Sequence, residues 1–126
     1  MEEPEVKRAI VDWIKSEHPD WYVWRRWHFD VVAGPSKSQP SLAVECKGGS
    51  SRRHKAQRAI GQCLDYMTES IFANVPCFIA TPKNFPDNQV ILKTLEYQKL
   101  PIGLLVVGDD GRVTILREAK RIHSRG

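Results

Sequence analysis

Three residues that could do metal chemistry lie in two apolar, strand-like stretches of the chain. Asp30 lies among aromatic and β-branched residues, and Glu45 and Lys47 flank Cys46 at the end of a later stretch. Side chains alternate between the two faces of a strand, so Glu45 and Lys47 share one face of theirs. If the two strands pair as an antiparallel hairpin around a loop at residues 34–40, Asp30 and Glu45 meet near its open end.

This arrangement predicts a site for a divalent cation. Burying two carboxylates in a sheet costs several kcal/mol unless a positive charge compensates them. Mg²⁺ provides that compensation, because it takes oxygen ligands in an octahedral shell that keeps several waters. The Cys46 carbonyl is a further oxygen donor, and the Lys47 ammonium can orient a water or meet charge that develops on a phosphate. The alternative is that Asp30 and Glu45 are solvated residues at strand ends and Lys47 is a surface charge.

The helix predicted after this motif carries a polar stripe. Its members, at three- and four-residue steps, are Lys55, Arg58, Gln62 and Tyr66. Two cations, an amide and a phenol on one face can hydrogen-bond to phosphates while the cations neutralise their charge. Arg52 and Arg53 extend the positive charge back towards Lys47. The alternative is an ordinary solvated helix face, on which Asp65 and Glu69 dilute the basic character.

The elements that must position these side chains follow from periodicity and turn residues. Helical spacing of apolar residues and short β-branched runs, bounded by proline and glycine, predict nine elements. The helices are predicted at residues 4–17, 53–72 and 88–99, and the strands at 21–25, 27–33, 41–47, 75–81, 103–107 and 113–116. Their order, α-β-β-β-α-β-α-β-β, predicts an α/β fold with a mixed sheet flanked by helices.

Two finer expectations concern the surroundings of the acidic pair. Alternation along the strand at 27–33 predicts that Phe29 and Val31 share one face while Asp30 lies on the other, with Glu45. The glycine-serine run at 48–51 is interpreted as a mobile loop beside the site.

Composition limits the classes of protein to which the chain can belong. Its 126 residues leave room for one packed core, so residues 1–126 are expected to form a single domain. A content of 41% hydrophobic and 27% charged residues argues against a disordered chain. The chain has no long apolar run and begins with a polar, acidic segment, so neither a membrane span nor a secretory signal is expected. Three cysteines without metal-ligand spacing favour a reducing, cytoplasmic location, and a net charge of +4 is compatible with a nucleic-acid partner.

The pattern of Asp30, then Glu45-Cys46-Lys47, then a helix with Gln62 and Tyr66 four residues apart resembles the PD-(D/E)xK nuclease superfamily. This superfamily includes restriction endonucleases, archaeal-type Holliday junction resolvases and exonucleases with a Q-x-x-x-Y helix motif. The resemblance extends along the chain as far as the helix that carries this motif, and it implies a restriction-endonuclease-like fold.

Residue by residue, the resemblance implies Asp30 and Glu45 as metal ligands and Lys47 as the catalytic lysine. Gln62 and Tyr66 match the supporting helix motif. The chain departs from the superfamily pattern at Phe29, where proline stands in some members but is absent from many.

The glutamate that such nucleases carry in their first helix has more than one candidate here. Glu3 lies three residues before Val6 and seven before Ile10, so it shares the apolar face of the helix, and Glu2 has a similar geometric claim. Glu5 lies roughly a hundred degrees or more away by the helical period, although helix termini bend and fray. Glu3 is therefore the predicted additional metal ligand, with Glu5 as the alternative.

Together these features predict a Mg²⁺-dependent DNA endonuclease that hydrolyses phosphodiester bonds in branched or specific duplex DNA, with Mn²⁺ able to replace Mg²⁺. The predicted DNA contacts are Arg52, Arg53, Lys55 and Arg58. A homodimer is expected, because so small a chain has little room for a separate recognition domain, and no nucleotide cofactor is expected. The alternative is a catalytically inactive, nuclease-like nucleic-acid-binding module or a subunit of a larger complex. Substrate structure, endonuclease or exonuclease action and the number of metal ions stay open.

Overall fold

The bounds of the first helix are set by the residues at its two ends. In the computed structural model, which describes residues 1–24, 28–49 and 55–120, helix α1 spans Glu3–Glu17. It has a proline in its first turn, and the Glu5 carboxylate accepts a hydrogen bond from the Glu2 main-chain N–H at 3.2 Å. It ends at Glu17, since the next residue, His18, precedes Pro19 and a residue before proline disfavours the helical conformation.

The remaining elements form one mixed sheet and its covering helices. The strands are β1 (Tyr22–Trp24), β2 (Val31–Gly34), β3 (Leu42–Cys46), β4 (Cys77–Pro82), β5 (Gly103–Val107) and β6 (Val113–Arg117), and the further helices are α2 (Lys55–Tyr66), a 3-10 turn (Ser70–Phe72) and α3 (Asn88–Tyr97). The six strands lie in sequence order across the sheet. The pairs β3–β4 and β4–β5 are parallel, and the other neighbours are antiparallel. The predicted α/β class with a mixed sheet is confirmed.

The sheet divides the core into two layers. Helix α1 covers one face, where its buried residues pack against side chains of β2, β3, β4 and β5. Helices α2 and α3 cover the opposite face. Each of these two helices connects a parallel pair of strands, and right-handed crossovers between successively placed strands put both on the same side. Among the described residues, no helix combines the length and apolar character needed to cross a membrane.

The prediction for β2 was wrong in one respect that matters for the site. The strand begins at Val31, and the residues from His28 to Asp30 form a bend. Phe29 therefore packs on the side of α2 and α3, whereas Val31 packs under α1, so the two do not share a face. The bend has a visible cause, because the Asp30 side chain occupies the place where the β2–β3 ladder would continue (see below). The predicted strand residues Arg25 and Trp27 lie outside the described residues.

Helix α2 is shorter than predicted. It ends at Tyr66, and the rest of the predicted helix is a turn followed by the 3-10 segment at Ser70–Phe72. At the turn, the Thr68 hydroxyl donates to the Asp65 carbonyl at 2.6 Å, and this side-chain bond competes with continuation of the helix. The predicted start at Arg53 lies outside the described residues.

The loop after Lys47 is packed where it is described, so its interpretation as a mobile segment was wrong for Gly48 and Gly49. A Cβ atom added to Gly48 would lie 2.5 Å from the Glu3 main-chain nitrogen. The next residue, Gly49, has a φ of +77° and donates its N–H to the Met1 carbonyl at 2.9 Å. Glycine is thus required at both positions, and the contact fixes the start of α1 beside the end of β3.

Replacing Gly48 with alanine should push the start of α1 away from the sheet. We expect Gly48→Ala to lower the free energy of unfolding by roughly 1–3 kcal/mol, because backbone atoms cannot move aside as a flexible side chain can. Urea unfolding followed by circular dichroism measures this change. Gly61→Ala is the matched control. No atom of the described residues lies within 4 Å of a Cβ added at Gly61 in the interior of α2, so that variant should be neutral or about 1 kcal/mol more stable. Equal stability of the Gly48 variant and the native protein would contradict the proposed contact.

Candidate functional site

Asp30 is held at the end of the β2–β3 ladder by a main-chain contact. Its Oδ2 atom accepts a hydrogen bond from the N–H of Cys46 at 2.8 Å. The register pairs Val31 with Val44, so the next pair outward would be Asp30 and Glu45. A carboxylate oxygen thus replaces the main-chain acceptor that Cys46 would otherwise find on β2. This bond explains why an acidic residue ends the strand and where its carboxyl group lies.

Glu45 is the buried member of the acidic pair. It belongs to β3 and is 4% exposed. Its carboxyl group lies close enough to Asp30 for the two side chains to form a hydrogen bond when one of them is protonated. Its Oε1 atom is buried and has no hydrogen-bond partner among the described residues. A buried carboxylate oxygen without a donor is costly, so this position favours a cation or a bound water.

Burial raises the pKa of Glu45 from 4.5 to about 8. The neighbouring Asp30 carboxyl acts in the same direction, whereas the Lys47 ammonium and the Asp30 main-chain N–H oppose the rise. Without a further cation, the site therefore holds Glu45 as the neutral acid near pH 7. A ligand with positive charge would favour the carboxylate form.

Lys47 brings a positive charge to the same place. Its Nζ atom lies 3.7 Å from Glu45 Oε2, and both side chains are largely buried. The main chain of Lys47 is fixed because its N–H donates to the Ala80 carbonyl on β4 at 2.9 Å. The predicted convergence of Asp30, Glu45 and Lys47 is thus observed as geometry.

The sequence interpretation missed a second lysine at this site. Lys7 Nζ lies 3.5 Å from Asp30 Oδ1 and reaches it from α1. The signal was present in the sequence, because Lys7 lies three residues before Ile10 and seven before Ile14, both of which are buried. A residue at this spacing borders the face that meets the sheet.

The first helix does not bring a third acidic side chain to the pair. Glu3 and Glu5 are both exposed, and Glu5 accepts the bond from the Glu2 N–H instead. Across the described parts of the chain, no three His, Cys, Asp or Glu side chains form a group that could hold a metal ion. The helix residue that reaches Asp30 is Lys7, in place of the predicted glutamate.

The two residues of the helix motif lie beside this site in different ways. Gln62 is half-buried, and its Oε1 atom, like that of Glu45, has no hydrogen-bond partner among the described residues. The Tyr66 ring packs edge-on against Phe29 at 5.2 Å between ring centroids. Desolvation raises the pKa of Tyr66, and the Glu45 and Asp30 charges add to that rise, so the phenol stays protonated. Among the described residues, no hydrogen bond joins the side chain of Gln62 or of Tyr66 to Asp30 or Glu45.

His28, two residues before Asp30, lies at the rim of the site. Its Nδ1 atom pairs with Glu69 Oε1, and its ring is tilted against that of Tyr66 at 5.2 Å. The imidazole is exposed and is directed to α2 and the turn after it.

The predicted phosphate contacts are only partly within the described residues. Lys55 Nζ donates to the Gly48 carbonyl at 2.7 Å, so this ammonium supports the loop after Lys47. Arg58 is exposed on α2. Arg52 and Arg53 lie outside the described residues.

The donor set fits a hard divalent cation such as Mg²⁺. The site offers two carboxyl groups and an orphaned, buried Glu45 oxygen. The N–H and C=O of a strand residue project to the same edge, so the Cys46 carbonyl lies on the Asp30 side of β3. Mg²⁺ commonly uses one or two carboxylates and keeps waters in its other positions, so a third acidic side chain is not required.

Cysteine chemistry does not compete with this interpretation. Cys46, Cys63 and Cys77 are free and buried. Burial raises the pKa of each thiol, that of Cys77 to about 12, so none is a reactive thiolate near neutral pH.

Comparisons of the chain with protein-family models, with curated proteins and with solved structures return no match. The chemistry of the site therefore rests on its own geometry.

Ionisation of Glu45 should make the metal-free protein less stable as the pH rises. Between the unfolded pKa of 4.5 and the folded pKa of about 8, the native state keeps a proton that the unfolded chain has released. The free energy of unfolding should therefore fall with increasing pH in this window. Glu45→Gln cannot ionise, so at about pH 8 it should be more stable than the native protein by roughly 1–3 kcal/mol.

Urea unfolding in EDTA at several pH values between about 5 and 8 tests this expectation. Glu96→Gln, on the exposed side of α3, is the matched control and should follow the native pH profile. Parallel pH profiles for the native protein and Glu45→Gln would show that Glu45 is not the titrating group.

Proposed function

We propose that this protein is a Mg²⁺-dependent nuclease that hydrolyses phosphodiester bonds in DNA and that Mn²⁺ can replace Mg²⁺. The observation that carries the proposal is the meeting of Asp30, Glu45 and Lys47 at the end of β3, where one buried Glu45 oxygen has no donor among the described residues. Two neighbouring carboxyl groups can hold a metal ion, and an adjacent lysine can stabilise negative charge on a phosphate, as metal-assisted phosphoryl chemistry requires. The mixed sheet and its helices are compatible with the restriction-endonuclease-like fold that the sequence motif implies.

Each residue of the site has a role under this proposal. Asp30 and Glu45 would hold the metal ion, with the Cys46 carbonyl as a further oxygen ligand. A bound divalent cation lowers the pKa of its water and polarises a phosphate. The Lys47 ammonium, fixed through its main-chain bond to Ala80, would position the attacking water or stabilise negative charge on the phosphate.

Helix α2 would supply secondary contacts. Gln62 and Tyr66 are proposed to orient a phosphate or Lys47, and the Gln62 oxygen, which has no partner in the described part of the chain, could accept a bond from such a group. Arg58 is exposed for a phosphate contact. We also propose a homodimer, because a second copy would let so small a chain contact both strands of a duplex.

A binding module without catalysis is the second candidate, and the Lys7–Asp30 ion pair favours it. An ammonium at 3.5 Å already compensates the charge of Asp30 without any metal. In that case the protein would bind DNA through its basic residues and would not cleave it. Cleavage assays separate the two candidates directly.

Removing any one of the three central side chains should abolish cleavage and preserve DNA binding. We expect Asp30→Asn, Glu45→Gln and Lys47→Met each to lower the rate of DNA cleavage at least about 100-fold, because each removes a charge that acts at the scissile phosphate. Supercoiled, linear, single-stranded and branched DNA should be incubated with Mg²⁺, Mn²⁺ or EDTA. DNA affinity, measured by fluorescence anisotropy, should change by no more than a few fold.

Asp87→Asn and Lys93→Met remove the same charges away from the site and are the matched controls. Asp87 precedes the first residue of α3, and Lys93 lies on that helix. Both should cleave at the native rate. Cleavage in EDTA, or full activity of Lys47→Met, would contradict the proposed mechanism. DNA binding without cleavage on every substrate and with either metal would favour the binding module.

A further inference from the structure

The Asp30 carboxylate has one oxygen that is committed to the main chain and one that is not. Oδ2 accepts the Cys46 N–H at 2.8 Å, and this bond ends the β2–β3 ladder. Oδ1 is the oxygen that faces Lys7, at 3.5 Å from its Nζ atom. A metal ion at Asp30 would therefore use the oxygen that the ammonium of Lys7 now neutralises.

Lys7 is held in place by the helix that carries it. Its neighbours Val6 and Ile10 are fully buried against the sheet. The start of α1 is also fixed, since the Gly49 N–H donates to the Met1 carbonyl at 2.9 Å. Only the flexible side chain of Lys7 can move, so its charge stays near Asp30 whether or not the ion pair is closed.

We propose that Lys7, on α1, competes with the divalent cation for Asp30 and thereby sets the affinity of the site for that cation. This inference rests on the proposed function and concerns the same site. In the metal-free protein, the Lys7 ammonium neutralises Asp30. A cation that binds the same oxygen must displace this ammonium and then bear its repulsion. Lys47 imposes a similar cost from the Glu45 side, where its ammonium lies 3.7 Å from Oε2.

The size of the effect follows from the distance. Two unit charges about 4 Å apart in a well-solvated site interact strongly enough to change a binding constant by roughly 5- to 10-fold. Lys7 is 35% exposed and Asp30 25%, so the solvated limit applies. Removing the Lys7 charge should accordingly strengthen metal binding by about that factor.

Isothermal titration calorimetry with Mn²⁺ alone, on the full chain and without DNA, tests the proposal. Lys7→Gln and Lys7→Met both remove the charge, and the methionine keeps an apolar stem for packing. Each should bind Mn²⁺ about 5- to 10-fold more tightly than the native protein. Lys7→Arg retains the charge and should bind as the native protein does. Lys15→Gln lowers the net charge equally from an exposed position on the same helix, and it should also leave the affinity unchanged.

The outcomes separate this inference from the proposed function. Equal or weaker Mn²⁺ binding by both neutral variants, in a native protein that binds Mn²⁺ through Asp30, would overturn the competitor and leave the metal site intact. Loss of that binding in Asp30→Asn identifies the site. If the native protein did not bind Mn²⁺ but the neutral Lys7 variants did, the result would support competition by Lys7 that is strong enough to prevent metal binding. Absence of binding in every variant would overturn both the competitor and the proposed metal-dependent function.

Discussion

The carboxyl groups of Asp30 and Glu45 lie close together at the end of β3. Both can carry a negative charge there only if positive charge lies nearby. Burial and the neighbouring Asp30 carboxyl together raise the pKa of Glu45 to about 8, so the pair cannot ionise freely. Lys7 and Lys47 each supply one compensating charge, at 3.5 and 3.7 Å. Among the described residues, the buried Oε1 atom of Glu45 still has no hydrogen-bond partner, so one acceptor of the pair is unsatisfied. Under the proposed function, a divalent cation would bind at this oxygen.

The fold holds these groups together through the main chain. Asp30 ends β2 by bonding the Cys46 N–H, and the Lys47 N–H bonds Ala80 on the parallel neighbour β4. Helix α1 is joined to the same point through the close approach of Gly48 to Glu3. The site is therefore built where an antiparallel ladder ends beside a parallel one, and it depends on four elements, β2, β3, β4 and α1.

The features of local origin were predictable from the sequence, and those that depend on tertiary placement were not. Alternation predicted that Glu45 and Lys47 would lie on one side of β3, because the period of a strand is intrinsic to its backbone. Alternation failed at Phe29, since the Asp30 side chain interrupts the ladder there. The spacing of Lys7 places it at the border of the buried face of α1, but it was missed because nothing local shows that this part of the helix lies near Asp30. The packing of Gly48 was missed for the same reason. A Gly-Gly pair occurs both in mobile loops and at close contacts with a helix, and the sequence alone does not distinguish the two.

The location of a bound cation tests the central claim most directly. Crystals of the native protein soaked in Mn²⁺ should show an anomalous-scattering peak between Asp30 and Glu45, at about 2.1–2.2 Å from a carboxylate oxygen of each, with the Lys7 ammonium withdrawn from Oδ1. Crystals of Asp30→Asn treated identically should lack the peak. A Mn²⁺ ion bound elsewhere, or an acidic pair that stays bonded only to Lys7 and Lys47 at saturating metal, would contradict the assignment of a metal-dependent site.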